Sequence, residues 1–268
     1  MPKISVCIPT YNYGRFVGAA IESVLVQSRT DFEVIVSDNA STDQTRAVVE
    51  ALACRDRRIR YLCNDRNLGM VANWNRCLEL ASGEYVKFLC ADDLLEPDAL
   101  GRLGRLLDEH PQAVLAAGAR RVVAEGGGQG RVLAYARQTI VTPGWITIRR
   151  CIARGNLIGE PSAVLFRRAA VTGGFDANYP QVSDFEMWLR LLGRGEFAFT
   201  PEIVCVFRHH AEQETKKNLR ANLAFADEFR LCRAYADQVS KLDLWQGLLR
   251  RRLAMWAFAL RAGFSREG

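Results

Sequence analysis

The sequence predicts an α/β fold: a mostly parallel sheet flanked by helices, followed by a helical C-terminal extension. Three observations predict it. Short apolar runs rich in β-branched and aromatic residues recur at positions 4–8, 32–37, 59–63 and 84–90. Segments with apolar residues at helical spacing separate them, so the order is βαβαβαβ, which implies parallel strands joined by right-handed crossovers. Each strand also stops in a polar loop. In open α/β sheets such loops share one rim, and ligands bind there.

The elements follow in order. Strand 4–8 stops at Pro9, Thr10, Tyr11 and Asn12. Residues 15–27 carry Phe16, Val17, Ala20, Ile21, Val24 and Leu25 on one helical face. Strand 32–37 ends in the run Asp38 to Asp43, where Ser41 and Gln44 have capping-box spacing for the next helix. Strand 59–63 leads to Asn67 and Gly69, then to a helix over 70–81. Strand 84–90 ends in Asp92 and Asp93. A helix over 97–110 precedes a strand at 113–124, a glycine-rich turn at 126–130 and a returning strand at 131–136. Another strand is expected at 163–166. Ser183 and Glu186 have capping-box spacing, which puts Asp184 in the first turn of a helix. A last strand at 203–207 precedes Arg208, His209 and His210, and the chain is expected to be helical from about 215.

Asp92 and Asp93 form the stretch on which the chemistry turns. Two adjacent acids at a strand's carboxyl end repel each other unless a cation or a hydrogen-bond network holds them. A hard divalent cation, itself holding phosphate oxygens, suits that position. The first loop has neither G-x-G-x-x-G nor G-x-x-x-x-G-K-[ST], which disfavours a dinucleotide-binding domain and a P-loop nucleotidase.

Composition sets wider bounds. The 268 residues suffice for one large α/β domain with an appendage. The net charge of +6 suits anionic nucleotides, nucleic acid or an anionic membrane surface without choosing among them. Eight cysteines occur without any Cys-x-x-Cys pair, so a zinc site is not supported, and several fall in apolar runs where a thiol acts as a small hydrophobe. No apolar run is long enough to span a bilayer. A reduced, cytoplasmic protein without a signal peptide is expected.

Together these residues resemble the family 2 glycosyltransferases, which have the Rossmann-like GT-A fold. The matching pieces are Pro9-Thr10-Tyr11-Asn12, the run Ser37 to Asp43, Asn67-Leu68-Gly69, Ala91-Asp92-Asp93, Ser183-Asp184 with Trp188-Leu189-Arg190, and Arg208-His209-His210. They follow in the family's order between residues 4 and 210. The resemblance implies a GT-A domain over 1–212, with a nucleotide-binding half at 1–95 and an acceptor-binding half at 96–212. A helical segment at 213–268 would follow it.

By that resemblance, Asp38 and the loop Pro9, Thr10, Tyr11 and Asn12 hold the base and ribose of a nucleotide sugar, with Asn67 and Gly69 beside them. Asp92 touches the ribose and metal shell. Asp93 ligates Mg²⁺ or Mn²⁺, His210 lies near the diphosphate or metal, and Asp184 is the catalytic base, held ionised by its helix N-terminus. The implied reaction is a single inverting displacement from a nucleoside-diphosphate sugar, UDP-linked as a first expectation, to a glycan or lipid-linked glycan acceptor. Its implied setting is bacterial surface-polysaccharide or glycoconjugate assembly. The sequence departs from the family at Cys90, where an acid is frequent, and at Ser183, where the base motif often has Glu.

Plainer readings stand beside these. Asp184 is also a good helix-start acid, Asp38 a turn acid, Asn67 and Gly69 turn formers, and Trp188 a core residue. A non-catalytic nucleotide-sugar or glycan-binding protein is the alternative from another class, and no nucleic-acid partner is expected. The segment 241–268 carries six basic and two acidic side chains among its tryptophans and leucines. It either lies on an anionic membrane as a peripheral contact or packs on the body with its arginines in solvent.

Overall fold

A computed structural model describes residues 2–124, 128–210 and 223–264. The first half contains β1 (Ile4–Thr10), α1 (Gly14–Leu25), β2 (Phe32–Asp38), α2 (Thr45–Ala53), β3 (Ile59–Cys63), α3 (Met70–Leu80) and β4 (Tyr85–Phe88). The second half contains β5 (Leu94–Leu95), α4 (Ala99–Glu109), β6 (Ala113–Ala124), β7 (Arg131–Leu133), β8 (Ile140–Pro143) and α5 (Gly144–Arg154). Then come β9 (Val164–Arg167), α6 (Ser183–Leu192) and β10 (Glu196–His209), followed by α7 (Leu223–Ala234) and α8 (Lys241–Phe264). The glycine turn lies partly outside the described residues, as does the helix start expected near 215.

One mixed sheet has the order β3-β2-β1-β4-β9-β6-β10-β5. Its long ladders, β3 to β2, β2 to β1, β1 to β4 and β6 to β10, are parallel. β9 is antiparallel to both β4 and β6. This orientation makes β6 and β10 run with β1–β4, so the ends of β1, β2, β4 and β10 reach one rim. The start of β9 arrives at that rim too.

Strand residues alternate between two apolar layers, as the two-residue period requires. Ile4, Val6, Ile8, Val34 and Val36 pack under α1, α2 and α4. Cys7, Ile35, Phe88 and Phe166 pack against α3, α5 and α6. β1 and β2 are buried along their whole length, which explains why they are apolar without a polar alternate face. Trp188 lies fully inside, its ring 5.6 Å from Phe166 and its indole N–H donating to Gly159 O. It is a core residue, as the plainer reading held.

Several local expectations are corrected. Neither capping box forms. Ser41 Oγ accepts the Asn12 N–H, while Asp43 accepts Thr45 N–H at 2.9 Å at the start of α2. Glu186 instead pairs with Arg190 one turn on. In both cases a tertiary partner or an i,i+4 ion pair takes the side chain that the local motif would use. β10 begins at Glu196, seven residues before the expected strand. Register shifts around Thr200 and Ile203 let Pro201 interrupt the pattern without ending the strand. Cys63 and Cys54 are exposed thiols, whereas Cys7 and Cys205 are core.

α7 and α8 dock on the body. Leu231 and Cys232 are buried, and the Asp227 carboxylate accepts Gln181 N–H. α8 crosses α5 closely at Gly247, where a Cβ would lie 2.2 Å from Ile152 O. Arg251 is 3% exposed and donates to Ile152 O at 2.8 Å, with Glu228 beside it.

Trp188 fills the junction between the sheet and α6, so truncation leaves a large cavity. Trp188→Ala is expected to lower unfolding free energy by about 3–5 kcal/mol. Urea unfolding followed by circular dichroism checks this, and an effect below about 1 kcal/mol would contradict the packing described.

Candidate active site

The rim is built from loops whose side chains mostly hold one another. Pro9 and Thr10 close β1 and are buried. Thr10 Oγ1 has no hydrogen-bond partner among the described residues, an unmet donor and acceptor at the rim. Tyr11 is exposed. Asn12 has φ of 56°, and its side-chain oxygen accepts Thr42 N–H at 2.8 Å. The 11–14 loop is thereby laced to the 41–43 loop.

Asp38 is fully buried at the end of β2. Ser41 N–H and the Tyr61 hydroxyl donate to its two oxygens at 2.9 and 2.7 Å. Burial and Asp38 together push the Tyr61 phenol upward, so it remains a donor. Direct contact between Asp38 and a ligand would require one of these partners to yield. Asn67 Oδ1 accepts from Gly69 N–H and Asn39 Nδ2, and Gly69 has φ of 85°. Both shape a turn. Behind them Ser37, Asn39, Asn64 and Asn73 form a continuous amide network.

Asp92 and Asp93 follow β4. Asp93 is fully buried. The Ser162 hydroxyl donates to its Oδ2 at 2.6 Å and Arg208 N–H to its Oδ1 at 3.1 Å. Ser162 Oγ in turn accepts Cys90 N–H. Burial, and then the neighbouring Asp92, push the Asp93 carboxyl well above its ordinary range, and these hydrogen bonds only partly oppose that. The Arg208 guanidinium donates to Asp92 O and lies over the Phe16 ring.

His210 Nε2 lies 2.9 Å from Asp92 Oδ2, and Nδ1 is buried without a hydrogen-bond partner among the described residues. A carboxylate on one ring nitrogen and an open second nitrogen is the arrangement of a metal-ligating histidine. Donor atoms of Cys90, Asp92 and Asp93 lie within 4.8 Å of one another. The site thus fits a divalent cation: two adjacent buried carboxylates with the Cys90 sulfur beside them, and His210 reaching the cluster only through Asp92.

Lys87 lies under this cluster, fully buried, and donates to the carbonyls of Phe88, Pro161 and Ser162. Burial pulls its ammonium down to about 8. It ties the segment carrying Ser162 to β4.

Asp184 occupies the first turn of α6 and is partly exposed. Desolvation pushes its carboxyl up to about 7, against the pull of backbone N–H groups, so the expectation of a firmly ionised acid is corrected. Glu160 raises it further and Arg120 lowers it, and the buried Arg120 is ion-paired with the half-buried Glu160. Asp184 belongs to the same electrostatic neighbourhood as the rim, because it raises the Cys90 thiol along with Asp93 and Asp92.

The Glycosyl transferase family 2 model matches residues 5–174. The chain belongs to that family. It is 35% identical over 240 residues to an uncharacterized protein of Mycobacterium tuberculosis, a match covering 86% of this chain and 74% of that protein. It is 43% identical over 110 residues to the GalNAc(5)-diNAcBac-PP-undecaprenol beta-1,3-glucosyltransferase of Campylobacter jejuni, covering 41% of this chain and 36% of that enzyme. The fold is similar to S. aureus TarS 1-349 in complex with UDP-GlcNAc, with a TM-score of 0.73 at 20% identity, covering 99% of this chain and 76% of that one. The GT-A expectation is met at the level of fold.

Sequence reasoning missed Ser162, Lys87, Arg120 and the asparagine network. Of these, Ser162 sits in a short turn ahead of β9, with no pattern along the chain that pairs it with Asp93. Lys87 in the middle of an apolar strand was itself a signal, since a lysine there must find buried acceptors.

Two outcomes follow. Ser162→Ala removes a donor from Asp93 and the acceptor of the Cys90 N–H. It should weaken Mn²⁺ affinity about tenfold or more in titrations followed by electron paramagnetic resonance; an unchanged affinity would refute this positioning role. A folded-state pKa of about 7 lies above the ordinary 3.8 for Asp184, so its ionisation costs stability progressively as pH rises between those values. Asp184→Asn should therefore raise the Tm at pH 8 and less so at pH 5. A pH-independent difference would show that burial does not shift this carboxyl.

Proposed function

We propose that this protein is an inverting, metal-dependent glycosyltransferase that moves a sugar from a nucleoside-diphosphate sugar to an acceptor hydroxyl. UDP is the first nucleotide expected. The observation that carries the reading is the buried Asp93 carboxylate, gripped by Ser162 and Arg208 beside Asp92. Thr10 and Tyr11 would meet the nucleoside, with Asp38 and Asn12 holding their loop and Asn67 and Gly69 the neighbouring turn. Asp93 and Asp92 would hold Mg²⁺ or Mn²⁺, with His210 as a further ligand or diphosphate contact.

When bound, the cation would stabilise charge developing on the diphosphate leaving group. The remaining work falls to side chains. Asp184 accepts the acceptor's hydroxyl proton as that oxygen bonds to the anomeric carbon. The bond from that carbon to the diphosphate oxygen breaks with inversion. Arg208, held beside Asp92 and Asp93, supplies positive charge near the leaving group. Bacterial surface-glycan assembly on a lipid-linked acceptor is consistent with the name of the Campylobacter jejuni relative.

Calorimetric titration with UDP, GDP, dTDP and CDP in the presence of Mn²⁺ tests the donor site. One diphosphate should bind in a metal-dependent manner, and Asp93→Ala should abolish that binding. Binding of none would remove the basis of the reading. Given an acceptor, kcat/KM should rise with pH through about 7, the value to which burial raises Asp184. Asp184→Asn should lower kcat by roughly 10²–10⁴-fold while leaving nucleotide affinity intact.

A further inference from the structure

The last helix turns an apolar stripe outward. Leu242, Trp245, Leu249, Leu253 and Trp256 of α8 are 39–71% exposed. At ~100° per residue they fall within about 80° of the helix circumference and run ~21 Å along it. The opposite side is already committed. Leu244 and Leu248 pack on the core, Gly247 touches α5, and Arg251 is buried against Ile152 O and Glu228. The stripe therefore cannot be an inward face seen before docking.

The flanks of the stripe are basic. Lys241 and Arg252 lie along one side and Arg250 along the other, all exposed. Asp243 is the one acid between Lys241 and Trp256, and Arg149 and Ser240 occupy it. Arg149 also lies 5.9 Å from the ring of Trp145, which is 56% exposed on α5.

We propose that α8 is a membrane-docking face, lying in the interface plane of a bilayer that contains anionic phospholipid. Three features select this occupant. Leucines and tryptophans on one face with basic residues at both edges match a helix resting at the headgroup boundary. Tryptophan has an apolar ring and a polar N–H, which suits that boundary better than a dry interface. A second copy of this face would bring Lys241, Arg250 and Arg252 against their own kind, whereas an anionic surface complements them. No helix among the described residues is long and apolar enough to cross a membrane, so the contact is peripheral. α8 packs on α5 and α5 on α6, so docking holds the helix that carries Asp184 at a fixed distance from the lipid.

The surface does not depend on the reading of the donor site, and its test needs no nucleotide. The full chain is co-sedimented with phosphatidylcholine vesicles, with and without about 30% phosphatidylglycerol, at low and high salt. Binding should require the anionic lipid and weaken with salt. Trp245→Ser with Trp256→Ser should abolish it, and Arg250→Gln with Arg252→Gln should reduce it about tenfold or more. The altered side chains are exposed, so the Tm of each variant should match the parent and separates lost docking from misfolding. No binding by the parent chain, or equal binding by the tryptophan variant, would overturn the proposal. So would a concentration-dependent dimer in light scattering that the tryptophan variant abolishes, because the stripe would then be a self-interface.

Discussion

A carboxylate with no access to water, placed beside a second carboxylate, is the constraint on which this structure depends. Asp93 cannot be left there unaided, because desolvation and Asp92 both oppose its charge. Its two oxygens receive donors from Ser162 and Arg208, which are 69 and 115 residues away. The sheet order delivers both. β10 runs parallel to β4 and ends at the rim with Arg208. β9 runs the other way and so enters the sheet at the rim, bringing Ser162. Lys87 fixes that entry by donating to two carbonyls of the 161–162 turn from inside β4.

The first turn of α6 resolves a different competition. The N-terminus of α6 favours an ionised Asp184, but a helix terminus contributes roughly 0.3–1 kcal/mol. That is less than one pH unit at about 1.4 kcal/mol each. Desolvation is larger, and the carboxyl rises to about 7. A group with that value takes up and releases a proton near neutral pH, which suits a general base better than a permanently charged acid. Asp93, by contrast, carries two protein donors and the flanking Asp92, an environment suited to a cation. Two aspartates in one neighbourhood are thus separated in role by what surrounds them.

The C-terminal helix departs from the ordinary amphipathic arrangement. Its arginines were expected in solvent if it packed on the body. Arg251 instead points inward to Ile152 O and Glu228, while leucines and tryptophans face out. The close crossing at Gly247 sets the helix's rotation, because any side chain there would strike the α5 backbone.

Apolar periodicity and loop chemistry alone determined the βαβαβαβ half, the strand at 113–124, the hairpin return at 131 and the carboxylates at the end of β4. These are local signals, since each strand's burial is written in its own residues. Local signals also misled, as at Ser41 and Ser183, where capping-box spacing lost to a tertiary partner at the first and to the Glu186–Arg190 pair within α6 at the second. Tertiary structure alone decided the direction of β9, the arrival of Ser162 at Asp93, the burial of Asp38 behind Tyr61, and which face of α8 meets solvent. None of these could be read along the chain. A strand's direction, a hydrogen bond across 69 residues and a helix's rotation are set by pairing and packing between elements, and the residues concerned look the same in either outcome.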